Sequence, residues 1–348
     1  MENTLPTIDL SKYIAEKRKK QKIFAHFCSY TPEEIIHAAG IVPVRIFGES
    51  TTEKASTHLQ SYCCSYAKRV LEHGLTSQYD GSVFVHSCDT MQRLSDIWAQ
   101  NIPEKFHETV IFPVAMDTGL EYLVRELQRF RKSLEKYAGE LSDDSLKKSI
   151  QIYNQNRELL QSLYEKRNKG HIPAVTVDHI IKASMIMEKE EHTELLRAFL
   201  DEVQLQDNSN PRLLIGGSVV LNPEILEIIE EYGSIRYDDL CVGSRYLEQV
   251  KELSLEGIAR RYQDMWCPCR ATASMRTDWL LKMCNEYAID GVVLLLQKFC
   301  EPHFFEVVHT KNQLKENNYP CLLLEVEDQP SPEQIRTRIQ AFCELLEG

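Results

Sequence analysis

The sequence has 348 residues, a formal net charge of −12, and 43% hydrophobic against 26% charged residues. Length and apolar content suffice for about two globular domains of about 150 residues each. The acidic balance argues against a general nucleic-acid surface, which needs a basic face to neutralise phosphates.

In chain order, the first 22 or so residues read as a polar helix. Next comes "TPEEIIHAAG", a helix with Thr31 as N-cap, Pro32 in its first turn and Gly40 as its stop. "IVPVRIFG" reads as a strand, and Ser65 to Leu75 as an amphipathic helix. "YDGSVFVHSC" is an apolar strand running directly into the helix "DTMQRLSDIWAQ", and "TVIFPVAM" is another short strand. Residues 118–206 differ, with charge-rich helical periodicity that predicts long solvated helices between two α/β halves. Alternation resumes with strands at "RLLIGGS", "SIRYDDL", "DGVVLLLQKFC" and "YPCLLLEVE". A helix "NPEILEIIEEYG" lies among them, and a last one, capped by Ser331, closes the chain. The expected fold class is α/β with mostly parallel sheets, α/β over 1–117, helical over 118–206 and α/β again over 207–348.

One internal echo stands out. "YDGSVFVHSCDTMQRL" and "IDGVVLLLQKFCEPHFFE" each run Asp-Gly, apolar strand, cysteine, acidic residue, helix. Two similar halves facing one another would produce it.

No run of about 18 apolar residues is present to span a membrane, and the opening segment lacks the apolar core of a signal peptide. A cytoplasmic location is therefore expected, where structural disulfides are uncommon. The eleven cysteines need another explanation. Ligands of open α/β sheets bind beyond the carboxyl ends of strands. Cys88 and Cys300 fall there, immediately before helices, and Cys63 or Cys64 likewise precedes a helix. Helix N-termini favour the thiolate, the form that binds metal. Cys267 and Cys269, in "MWCPCRATASMR", stand too close together for zinc-finger spacing, whereas soft thiolates suit iron–sulfur clusters. Arg270 adds positive charge beside them, and Cys241 is a further candidate ligand. Cys28, Cys284, Cys321 and Cys343 read as core residues. The Gly pair of "LLIGGSVVLNPE" is a weak phosphate-binding signal, and no GxxxxGK[ST] motif is present.

Together, "FCSYTPEEIIHAAGIVPVRIFG", "CSYAKRVLE", "DGSVFVHSCDTMQRLSDIW", "DDLCVGSRY" and "DGVVLLLQKFCEPHFFE" resemble the 2-hydroxyacyl-CoA dehydratase and benzoyl-CoA reductase family, from about residue 20 to the C-terminus. The resemblance implies two Rossmann-like domains joined by a helical segment, with an iron–sulfur cluster between them. It also implies Cys64, Cys88 and Cys300 as the ligands of one 4Fe-4S cubane, and a separate ATP-hydrolysing iron–sulfur activator protein as electron donor. The surplus thiols Cys63, Cys267 and Cys269 tilt the resemblance toward the double-cubane cluster proteins, homodimers that reduce small molecules in an anaerobic cytoplasm. In that reading the chain is an ATP-dependent iron–sulfur reductase, with Cys63, Cys64, Cys88, Cys267, Cys269 and Cys300 holding two linked 4Fe-4S units. One alternative is a single-cubane subunit of a 2-hydroxyacyl-CoA dehydratase that eliminates water through a ketyl radical. Another is a non-catalytic electron carrier or assembly protein.

Overall fold

Two four-stranded sheets, each wholly parallel, carry the chain in the computed structural model, which describes residues 9–48, 51–113, 115, 118–170, 172–205, 208–327 and 330–348. The first half runs α1 (Leu10–Lys17), β1 (Lys22–His26), α2 (Glu33–Ala38), β2 (Ile41–Arg45), α3 (Ser65–Thr76), β3 (Gly81–His86), α4 (Asp89–Asn101) and β4 (His107–Ile111). Four helices follow: α5 (Leu120–Ala138), α6 (Asp143–Lys169), α7 (Ala174–Ile186) and α8 (Lys189–Glu202). The second half runs β5 (Arg212–Gly217), α9 (Glu224–Glu230), β6 (Ser234–Asp239), α10 (Leu255–Gln263), α11 (Ala273–Glu286), β7 (Gly291–Gln297), α12 (Glu301–Glu316), β8 (Cys321–Val326) and α13 (Pro332–Glu347).

Strand order is β2-β1-β3-β4 in one sheet and β6-β5-β7-β8 in the other, the same order twice. The sequence echo therefore has a structural meaning: β3–α4 and β7–α12 occupy equivalent places in the two sheets. Strands covered on both faces read as unbroken apolar runs. "GVVLLLQ" in β7 and "IVPVR" in β2 are buried at every position. Pro43, which cannot donate to a ladder, sits in β2 at a sheet edge.

The structure adds β1, which the sequence reading left unassigned after a polar helix ending near Lys22. Helix α1 stops at Lys17, and the five residues of β1 follow a basic run that masks their apolar pattern. Residues 1–8 of that expected helix lie outside the described residues. The Thr31 cap is not made either. Pro32 occupies the N-cap of α2 with no side-chain bond, while Gly40 does close the turn at φ +72°.

The helices of 118–206 are less solvated than expected. On α5, Leu123, Leu127, Phe130 and Leu134 form a buried stripe at helical spacing. Helix α7 is apolar on most of its surface and packs against both β2 and α9, so it wedges between the two halves. Helix α10 crosses back to pack on α5. Ile258, Tyr262 and Met265 join the core around Phe24, Tyr30 and Phe112, so the loop bearing Cys267 and Cys269 lies against the first sheet.

Candidate functional site

In each sheet the strand order reverses between the first and third strands, β1 and β3 or β5 and β7. Such a switch point leaves a crevice at the strand carboxyl ends. Cys64, Cys88 and Cys300 are the N-cap residues of α3, α4 and α12, the corner positions expected from sequence. Phe299 holds φ +66°, a left-handed conformation uncommon outside glycine, in the turn that delivers Cys300.

Loops from both sheets are stitched together around these thiols. Tyr66 N donates to Gln297 Oε1 at 3.3 Å, and Gln297 Nε2 donates to Val219 O at 2.5 Å. The Tyr66 hydroxyl lies 2.7 Å from Phe27 O and 2.9 Å from Ile46 O. Ser218, just beyond β5, hydrogen-bonds the Cys300 thiol, and its carbonyl accepts from Cys241 N at 3.3 Å.

The thiols stand close enough to feel one another's charge. Burial pushes Cys88 up to about 12, with Cys64 adding to the rise. Burial lifts Cys300 well above the ordinary thiol range, reinforced by Cys64 and Cys88. Cys28 rises to about 11 through burial, with Arg45 opposing and Cys267 and Cys241 reinforcing. Cys267 goes the other way. A hydrogen bond from Cys269 lowers it against the burial penalty, helped by the Arg245 and Arg276 guanidinium groups, while Cys269 keeps its proton.

The helix N-termini favour the corner thiolates, as expected from sequence, against an opposing burial penalty. Cys88 does accept from the N–H of Met91, and Cys64 from those of Ala67 and Tyr66, but burial outweighs both. Metal ligation at these thiols would displace protons.

Of the six thiols singled out from sequence, Cys64, Cys88 and Cys300 converge, and Cys267 and Cys269 lie beside them. Cys63 adjoins Cys64 but lines an outward-facing pocket with Tyr62, Asp89 and Arg93. Cys28 and Cys241, which sequence reading left as core residue and further candidate, both belong with the converging thiols. Their signal was available, since each stands two residues beyond a strand end. Cys28 also packs against the apolar core, as the sequence reading had it.

Among the described residues no three His, Cys, Asp or Glu side chains gather closely enough to hold one metal ion. Cluster ligands bind different irons and stand wider apart than the ligands of a single ion. Soft sulfur donors backed by the buried guanidinium groups of Arg45, Arg245 and Arg276 fit an anionic iron–sulfur group.

Arg270, His37, His303 and the Gly pair of β5 take structural parts. Arg270 is buried and donates to the carbonyls of Pro113 at 2.8 Å and Tyr262 at 2.9 Å, clamping the Cys267 loop to the end of β4. His37 hydrogen-bonds Ser149 at 2.9 Å. His303 is buried beside Arg276 and Glu306, and burial drives its pKa well below the usual value, leaving it neutral. The Gly pair of β5 serves packing: a Cβ on Gly217 would strike the carbonyl of Leu295.

Residues 28–346 match the family model of the 2-hydroxyglutaryl-CoA dehydratase D-component. The chain belongs to this family. It is similar to the lactoyl-CoA dehydratase subunit beta of Anaerotignum propionicum, 30% identical over 91% of this chain and 90% of the relative. It is 28% identical to the (R)-phenyllactyl-CoA dehydratase beta subunit of Clostridium sporogenes, over 96% and 95% of the two chains. A benzoyl-CoA reductase subunit of Thauera aromatica is also 28% identical, over 95% and 92%. Family membership and relatives named as enzyme subunits support an enzymatic role. Among the described residues no helix is long and apolar enough to cross a membrane.

Proposed function

We propose that the chain is an iron–sulfur reductase carrying a double-cubane cluster. It reduces a small molecule with electrons from a separate ATP-hydrolysing activator protein, and works as a homodimer in an anaerobic cytoplasm. The observation that carries this reading is the surplus of thiols at the facing strand ends. Cys28, Cys241, Cys267 and Cys269 lie there besides Cys64, Cys88 and Cys300, whereas one cubane with an open iron needs about three.

A bound cluster supplies low-potential single electrons. The chain's own residues do the rest. Aromatic and aliphatic packing around Tyr30, Phe112 and Tyr262 limits water behind the thiols. Arg45, Arg245 and Arg276 place fixed positive charge beside them, which favours added negative charge. The pocket lined by Tyr62, Cys63, Arg93 and Phe299 opens next to the Cys300 turn and offers a small molecule access.

A second reading is the beta-type subunit of a 2-hydroxyacyl-CoA dehydratase with one cubane, favoured by full-length similarity to relatives with those names. Anaerobic iron and sulfide analysis separates the two, at about eight irons per chain against about four. Turnover with activator, ATP and a reductant tests both. Iron-free protein from anaerobic purification would sink both.

A further inference from the structure

The strand-end thiols fall into two sets held by different bonds. Cys64, Cys88 and Cys300 cap α3, α4 and α12. Cys28, Cys241 and Cys267 are drawn together by the residues beside them. Ser29, next to Cys28, donates its hydroxyl hydrogen to the carbonyl of Cys241 at 2.5 Å. Tyr30 donates to the carbonyl of Met265 at 3.0 Å, just ahead of Cys267. The Tyr262 hydroxyl donates back to Thr31 O at 2.6 Å. Cys28 and Cys267 pack against one and the same apolar core, and Arg45 reaches the Cys241 sulfur at 3.7 Å. Ser218 joins the two sets, bonding Cys300 through its side chain and Cys241 through its carbonyl.

Cys63 has none of these ties. Its place is the outward pocket with Tyr62, which is 66% exposed.

We propose that Cys28, Cys241 and Cys267 are the second set of iron ligands, facing Cys64, Cys88 and Cys300, and that Cys63 ligates no iron. The assignment rests on the double-cubane reading above.

The test is anaerobic iron and sulfide content with Mössbauer spectra on the reconstituted full chain. Cys28→Ala and Cys241→Ala should each fall to about half the wild-type iron, with the spectrum of a single cubane remaining. Cys63→Ala should keep all of it. Melting curves of the cluster-free variants identify any that fail to fold. Cys63 and Tyr62 face outward, so Cys63→Ala in particular should melt like wild type, and its iron content decides by itself whether Cys63 is a ligand. Half-loss in Cys63→Ala overturns the assignment, as does full retention in folded Cys28→Ala or Cys241→Ala. Wild type with about four irons overturns the double-cubane reading itself, which separates the two failures.

Discussion

Arg45 Nη2 stands 3.7 Å from the sulfur of Cys241, while Nη1 donates to Ser29 Oγ at 2.6 Å. The guanidinium is 1% exposed, and among the described residues no carboxylate pairs with it. A buried cation without a counter-ion is costly. Under the proposed function, an anionic cluster on the neighbouring thiolates would supply the missing negative charge.

Arg45→Met should therefore affect the two forms of the protein differently. Cluster-free protein loses a buried unpaired charge, and its melting temperature should hold or rise. Cluster-loaded protein loses the counter-charge, and its midpoint potential should fall, because the added electron is no longer favoured by a nearby cation. Calorimetry on the first and redox titration on the second check both. A potential that stays the same in Arg45→Met would break the link between Arg45 and the cluster.

Asp239 is the reverse case, a buried anion serving two cations. Its carboxylate accepts from Arg245 Nε at 2.6 Å and Nη2 at 2.8 Å, and from Arg276 Nη2 at 2.5 Å. Arg276 also meets Glu306 at 2.9 Å. Burial works against the ionised form, but the two guanidinium groups hold the Asp239 pKa below its usual range. Asp239→Ala strands the buried Arg245 charge, leaves Arg276 with Glu306 alone, and should cost about 3–5 kcal/mol in urea denaturation. Asp239→Asn, which keeps the shape and part of the hydrogen bonding, should cost less.

The sheets were legible in the sequence because parallel strands buried on both faces are unbroken apolar runs, as in β3, β5 and β7. The corner cysteines were legible because Asp-Gly, strand, cysteine and acidic residue recur at equivalent strands. What stayed hidden depended on packing. β1 is short and follows Lys17, Arg18, Lys19 and Lys20, whose charge hides the apolar start at Ile23. With β1 unseen, Cys28 had no strand end to mark it. The burial of α7 and the return of α10 to the first sheet are tertiary choices that local periodicity does not encode. The thiol pKa directions also needed depth of burial, which outweighs the helix N-terminus that sequence can predict.

Two buried carboxyls give stability a definite pH dependence. Glu230 accepts from Ala174 N at 2.6 Å, and burial raises its pKa from 4.5 to about 7. Glu104, bonded by Ser82 at 2.6 Å, is likewise raised by burial to about 7. Between the unfolded and folded values the native state binds more protons than the unfolded state, so stability falls as pH rises. Each group contributes stability that is full below about pH 4.5 and lost through about pH 7, at up to about 1.4 kcal/mol per pH unit. Glu230→Gln and Glu104→Gln should flatten the profile of denaturation free energy between those limits. An unchanged slope in the double variant would show that neither group titrates there.

Gly217 is the last residue of β5 and stands opposite Leu295 of β7 in the sheet register. A Cβ there would collide with the Leu295 carbonyl, a backbone atom fixed by the ladder, so the strand end itself must move. Ser218 follows directly and bonds both Cys300 and the backbone of Cys241. Gly217→Ala should cost about 1–3 kcal/mol by overpacking and should also lower iron retention, because the displaced Ser218 no longer ties the two thiol sets together. Gly119→Ala is the control, since its Cβ would meet nothing within 4 Å and its φ of −54° suits any residue. Urea denaturation should leave Gly119→Ala at wild-type stability. Iron loss on dilution should then be faster in Gly217→Ala than in a variant equally destabilised far from the strand ends. Equal rates in those two would mean that Gly217 supports the sheet and nothing beyond it.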